Sequence, residues 1–247
     1  MALLLLIAGG AQGAAHYPVF AAWPQADGPG TPLTLTYSFS NLFDGSLRQA
    51  RNGETLAESD LRAAFTAALE DYAAVLPIDF VEVADNAGPL PESGEYDPQG
   101  FAQIRIGQVA HIEDANAYAY FPMATDTSGL AGDIVFNAAR FGAGWTLSLF
   151  YAVAQHEMGH VLGLGHFVDA GQASDDLQQS AAYPGPLFPL DPLAVRTLQQ
   201  VYGVGSGSVT PIPVTAPGLL LGSAMLALLS AARRRQLPSP TRSRRRR

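Results

Sequence analysis

Apolar and polar residues alternate over Leu33 to Phe39, LTLTYSF, and the β-branched and aromatic content of this stretch predicts a half-buried strand. The period then lengthens. Leu61, Phe65, Leu69 and Tyr72 recur at helical spacing, giving one apolar face to a helix that Ser59 can cap and that runs to about Val75. Short stretches of strand character follow at 78–83 (IDFVEV), 103–109 (QIRIGQV), 117–121 (AYAYF) and 133–137 (DIVFN). Thr146 is placed to cap a long helix, LSLFYAVAQHEMGHVLG, and Asp191 with Pro192 in the first turn opens another that Gly203 ends. A strand, a helix, several strands and two late helices predict an α+β fold.

The two ends follow a different pattern. Residues 2–8, ALLLLIA, form a short apolar run followed by small residues, GGAQGAA, which predicts a secretory signal over 1–15, cut between Gly13 and Ala15. Val214 to Ala232 contains 19 residues without a charge, enough to cross a hydrocarbon core of about 30 Å as a helix. Arg233, Arg234 and Arg235 follow at once, and arginines beside a span are retained on the cytoplasmic side. The segment at 204–213 is rich in Gly, Ser and Pro and reads as a linker. These features predict a domain over 16–203, a membrane helix over 214–232 and a basic cytoplasmic tail over 233–247. The succession of PIP at Pro211 to Pro213, an apolar span and terminal arginines resembles the PEP-CTERM class of bacterial sorting signals. That resemblance implies an envelope-anchored protein and an exosortase-type processing enzyme as a partner.

Composition narrows the chemistry of the domain. The 247 residues include no cysteine, so any metal must sit on His, Asp or Glu. The net charge of −8 conceals a division: eight of the 14 cations lie in the last 15 residues, leaving six against 22 acidic groups before them. A body this acidic argues against nucleic acid as a partner, because phosphate contacts need clustered cations.

Three of the five histidines fall within residues 156–166, HEMGHVLGLGH. On a helix, positions i and i+4 share a face, so His156 and His160 can offer two imidazole nitrogens to one ion at about 2.0–2.1 Å. Glu157 stands beside them without being a ligand, where a base for an activated water belongs. Gly163 sits where the helix should stop, since glycine adopts the left-handed conformation at little cost, and the returning chain can bring His166 as a third ligand. Three protein ligands leave a fourth position open, as in catalytic rather than structural zinc sites.

At these residues the chain resembles the metzincin zinc peptidases, and within them the matrixins. The motif is complete at His156, Glu157, His160, Gly163 and His166. IRIG, AYAYFP, GDIVFNAARF, AYPG and LDPLAVRTLQQVYG resemble the neighbouring matrixin segments in order, over about residues 30–203. The resemblance implies a twisted mixed β-sheet with a long active-site helix and a C-terminal helix, and a zinc-dependent endopeptidase acting on protein or peptide substrates. His156, His160 and His166 would be the metal ligands and Glu157 the general base. The substrate would lie along Tyr118 to Phe121, with Tyr118, Tyr120 and Tyr183 as contacts and Tyr183 to Pro189 as a pocket wall. Calcium is a further cofactor the family suggests, near Asp126, Asp133 and Asn137.

The chain also departs from the family's pattern. Ala182 stands where the methionine of the turn beneath the zinc is expected, and Phe167 stands where serine usually follows the third histidine. Tyr118 and Val135 replace histidines of a second, structural zinc site, leaving His111 and Asp114. The missing methionine motivates an alternative reading, a surface binding or scaffold module that keeps zinc as a relic.

Overall fold

The computed structural model describes residues 15–90, 102–122, 129–168 and 190–212. The chain divides into a unit over Met1–Pro211 and a second over Ile212–Arg247. All described residues except Ile212 belong to the first. Residues 1–14 of the segment expected as a signal over 1–15, the apolar span at 214–232, Asp126, Ala182 and Tyr183 lie outside the described residues, as does nearly all of the second unit. Among the described residues, no helix is long and apolar enough to cross a membrane.

Among the described residues, six strands form one mixed sheet: β1 (Leu33–Phe39), β2 (Ile78–Glu82), β3 (Ile104–Val109), β4 (Ala117–Ala119), β5 (Ile134–Asn137) and β6 (Val209–Thr210), in the order β4-β5-β3-β1-β2-β6. All neighbours are parallel except β4, which runs antiparallel to β5 with Tyr118 opposite Val135. The register of β1 places Leu33 beside Ile78 and Tyr37 beside Ile104, so its alternating residues fill the sheet's centre. With helices α1 (Glu58–Ala73), α2 (Leu147–Val161) and α3 (Pro192–Tyr202), this is the expected α+β architecture.

The helices dock through the faces their periodicity marks. Leu61, Phe65, Leu69 and Tyr72 of α1 are all buried, and each such side chain contributes about 1.5–3 kcal/mol when removed from water. The helix nevertheless starts at Glu58, with Ala57 at its N-cap and Ser59 inside the first turn, so the predicted serine cap does not form. Thr146 does cap α2, its side chain accepting from the Leu149 N–H at 3.1 Å, and Asp191 caps α3 by accepting from Leu193 at 2.7 Å. Just before α2, the fully buried Trp145 donates its indole N–H to the Asn137 carbonyl at 3.0 Å and packs against Phe136 and Phe150. This contact locks the start of the histidine-bearing helix to the end of β5.

One element was not expected. β6 lies within the Gly, Ser and Pro segment read as a linker, with Val209 beside Phe80 of β2. Its short length and small flanking residues hide it, because pairing to a buried neighbour, rather than its own side chains, makes it a strand.

Candidate metal centre

The last two turns of α2 supply His156 and His160, and the turn that ends the helix returns His166. That turn closes by two backbone bonds, Gly163 N–H to the His160 carbonyl at 2.8 Å and Leu164 N–H to the Gly159 carbonyl at 2.9 Å. This pair of bonds needs a left-handed residue between them. Gly163 provides it with φ of 95°, as its place in the sequence predicts.

The three imidazoles converge. His160 Nε2 lies 3.1 Å from His156 Nε2 and 3.2 Å from His166 Nε2, and the ligand atoms of all three lie within 4.8 Å of one another. Nitrogens held at zinc's usual bond length in a tetrahedral arrangement stand about 3.3 Å apart, so the spacing fits such an ion. His160 Nδ1 sits 2.7 Å from the Leu164 carbonyl, which accepts its proton and leaves the lone pair on Nε2, facing the other two rings. Burial, aided by the neighbouring His160 and His166, lowers His156 to about 3. Burial also lowers His160, against the opposing pull of the Leu164 carbonyl. Both rings are therefore neutral near pH 7, the form that binds a metal. Among the described residues this is the one cluster of three or more metal-ligating side chains, and it contains no fourth protein ligand.

Glu157, next to His156 in the chain, is outside the ligand set and buried, with one carboxylate oxygen lacking a hydrogen-bond partner among the described residues. Burial pushes its carboxyl up to about 8. A carboxyl that burial raises toward neutrality can exchange a proton near pH 7, whereas one held by several donors stays ionised.

The other predicted residues divide. Tyr118 and Tyr120 lie in and just after β4, which stands at one end of the sheet order, and their rings meet edge to face at 5.5 Å. Burial and the adjacent Tyr120 hydroxyl raise Tyr118 to about 12, so it stays neutral. Side chains alternate along a strand, which puts these tyrosines on the face opposite Ala117, Ala119 and Phe121. It is Phe121 that meets the triad, edge to face with His160 at 5.7 Å. The strand expected to carry substrate, Tyr118 to Phe121, ends on this residue, but its contact with the triad was not expected, because only the tyrosines were singled out as contacts.

Of the residues suggested for calcium, Asp133 and Asn137 are engaged within the fold. Asp133 accepts from the Arg105 backbone N–H at 2.9 Å. Asn137 donates to the Ile112 and Ala115 carbonyls, each at 2.8 Å, and accepts from the Arg140 N–H at 3.0 Å. No calcium cluster forms from them among the described residues. At the second zinc position of animal relatives, the Tyr118 and Val135 pair forms an ordinary cross-strand contact.

The matrixin family model, peptidase M10, matches residues 34–203. The chain is 28% identical to Metalloendoproteinase 4-MMP of Arabidopsis thaliana over 71% of its own length and 45% of that protein. It is 26% identical to Matrix metalloproteinase-20 of Homo sapiens over 71% of its own length and 33% of that protein. It thus spans less than half the length of these relatives. Among solved structures, that of myroilysin aligns over 62% of this chain and 55% of its own, at 18% identity and a TM-score of 0.34. With the family model covering most of the sequence and the three imidazoles gathered as a metal-binding set, the chain belongs to the matrixin family of zinc metallopeptidases.

Proposed function

We propose that this protein is an exported zinc-dependent endopeptidase that cuts internal peptide bonds of protein substrates. The observation that carries the reading is the convergence of His156, His160 and His166 through their Nε2 atoms, with the buried Glu157 next to His156 on the same helix. When bound there, zinc supplies a Lewis acid that activates water and polarises the scissile carbonyl. The chain's own groups do the rest. The Leu164 carbonyl fixes the tautomer of His160, and Glu157 takes a proton from the attacking water and delivers it to the departing amine nitrogen.

The substrate reads as an extended segment added to the edge of β4. Tyr120 and Asn116 direct their backbone groups to β5, through Tyr120 N–H to the Asp133 carbonyl and Asn137 N–H to the Asn116 carbonyl. Alternation then turns the backbone groups of Ala117 and Ala119 outward, where a peptide can pair with them. Tyr118 and Tyr120 serve this edge as part of the strand, and Tyr183 is assigned to the pocket wall by the family resemblance alone. Export, anchorage by residues 214–232 and removal of the tail by an exosortase-type enzyme belong to the same proposal and rest on the sequence pattern of the two ends.

The test is zinc content together with cleavage of an unfolded protein by the full chain. Internal cuts that stop on chelation and resume on return of zinc are expected. Stoichiometric zinc with no cleavage on prolonged incubation would reassign the chain to the binding-module alternative.

A further inference from the structure

The N-terminal segment of the described fold runs antiparallel along the turn that carries the third histidine. Phe20 N–H donates to the Gly163 carbonyl at 2.9 Å and Gly165 N–H donates to the Pro18 carbonyl at 2.7 Å, one bond on each side of Leu164. Beyond His166, His16 and Val168 exchange both backbone bonds, at 3.0 and 2.9 Å. The segment is itself pinned. The Trp23 indole N–H donates to the Val161 carbonyl at 2.9 Å, supplying a partner to the C-terminal end of α2, and the Tyr17 hydroxyl donates to Asp191 at 2.9 Å.

Side chains complete the fit. A Cβ on Gly163 would fall on the Ala21 carbonyl, and a Cβ on Gly165 would fall on the Phe20 ring and lie 2.7 Å from Pro18 Cγ. Gly165 is not part of the zinc-binding motif, and its own φ is not left-handed, so the close approach of residues 18–20 is what requires a glycine there. Phe167 packs its ring against Tyr17 at 5.4 Å, which gives its departure from serine a partner. Phe20 stays 55% exposed yet meets Phe121 edge to face at 5.2 Å, and Phe121 in turn meets His160.

We propose that residues 16–23 are a positioning strap of the metal centre, holding the Leu164 carbonyl against His160 and the backbone on both sides of His166, so that the three imidazoles are arranged before the ion arrives. The inference rests on the reading of the triad as a metal site. Groups that orient a metal ligand change affinity by about 10–100-fold when removed, without being ligands themselves. A segment that merely covers the surface would alter stability and leave the ligand arrangement as it was.

The test uses the full chain with Zn²⁺ and Co²⁺ as probes. Zinc affinity is measured by competition with a chromophoric chelator, ligand geometry by the visible spectrum of bound Co²⁺, and fold by thermal unfolding of the metal-free protein. Phe20→Pro deletes the N–H that reaches Gly163, Gly165→Ala forces residues 18–20 away, and Phe20→Ala removes the ring but keeps the backbone bond. Phe20→Pro and Gly165→Ala should weaken zinc binding by about 10–100-fold and shift the Co²⁺ bands, with Phe20→Ala showing less. The double variant Phe20→Ala/Gly165→Ala should regain part of the loss, since the ring no longer opposes the added methyl. If Gly165→Ala loses its fold, Phe20→Pro decides alone. Folded variants with the affinity and Co²⁺ spectrum of the parent would overturn the strap while leaving the metal centre standing. A parent that takes up neither ion would overturn both.

Discussion

Two regions of this chain hold ligand-type side chains close together, and they differ in what those side chains face. At the end of α2, three imidazoles turn their Nε2 atoms toward a common point. At the two ends of β5, Asp133 turns one carboxylate oxygen to the Arg105 backbone N–H, and Asn137 turns both its polar atoms to backbone groups of Ile112, Ala115 and Arg140. A buried polar atom without a donor or acceptor costs about 1–3 kcal/mol, so each region must satisfy its groups somehow. In the second, Asn137 does so through the backbone around it, which gives that side chain a structural task. The first directs lone pairs at one another, an arrangement that makes sense when a cation stands among them. Residue type alone does not separate a ligand from a turn-former, but the direction of its lone pairs does.

The largest effect expected from this contrast is at the triad. Structural zinc sites hold their ion by about 10–16 kcal/mol, so deleting one of three ligands, as in His166→Ala, should weaken zinc binding on the order of 10³-fold. Isothermal titration with zinc reads this directly, and near-parental affinity would mean that His166 is not a ligand. Next comes the satisfied region. Asn137→Ala removes the partner of two part-buried carbonyls and of the Arg140 N–H, and should cost about 2–4 kcal/mol in denaturant unfolding. Calcium should leave the parent's Tm unchanged, and a calcium-dependent rise that Asn137→Ala abolishes would return a cation to this region.

The smallest effect concerns acid stability. Arg105, whose backbone holds Asp133, pairs through its guanidinium with Asp85 at 2.8 Å, and both side chains are buried. Burial acts to raise the Asp85 carboxyl, but Arg105, Ser38 and the Ala87 N–H outweigh it and hold the group below the usual carboxylate range. Because the folded-state value is depressed, this pair stabilises the protein fully above the unfolded carboxylate pKa of about 3.9, and its contribution is lost as pH falls through the lower folded value. The gap in Tm between the parent and Asp85→Asn should therefore narrow as pH is lowered past that point. A gap constant with pH would show that Asp85 is not ionised in the folded chain.

The parts of the fold that the sequence revealed are those in which local pattern and tertiary burial agree. The strand at Leu33–Phe39, the apolar face of α1, the caps at Thr146 and Asp191 and the stop at Gly163 all follow from spacing and residue type. The triad was legible for the same reason, since i and i+4 on a helix followed by a glycine turn determines where three side chains go. What escaped depends on contacts between distant segments. β6 exists because β2 offers it an edge. Phe121 enters the site through the end of an edge strand, and residues 16–23 matter through backbone bonds that no side-chain pattern records. Gly165 and Phe167 were the visible traces of that last contact, but they acquire meaning only once the partner segment is in place.

In the proposed mechanism the triad and Glu157 have separate tasks, one holding the metal and the other moving the proton. Glu157→Gln tests this most directly, with zinc content and peptide hydrolysis measured on the same preparation. Parental zinc content is expected, with hydrolysis reduced by about 10²–10⁴-fold, the usual contribution of a general base. Unreduced hydrolysis at full zinc occupancy would contradict it.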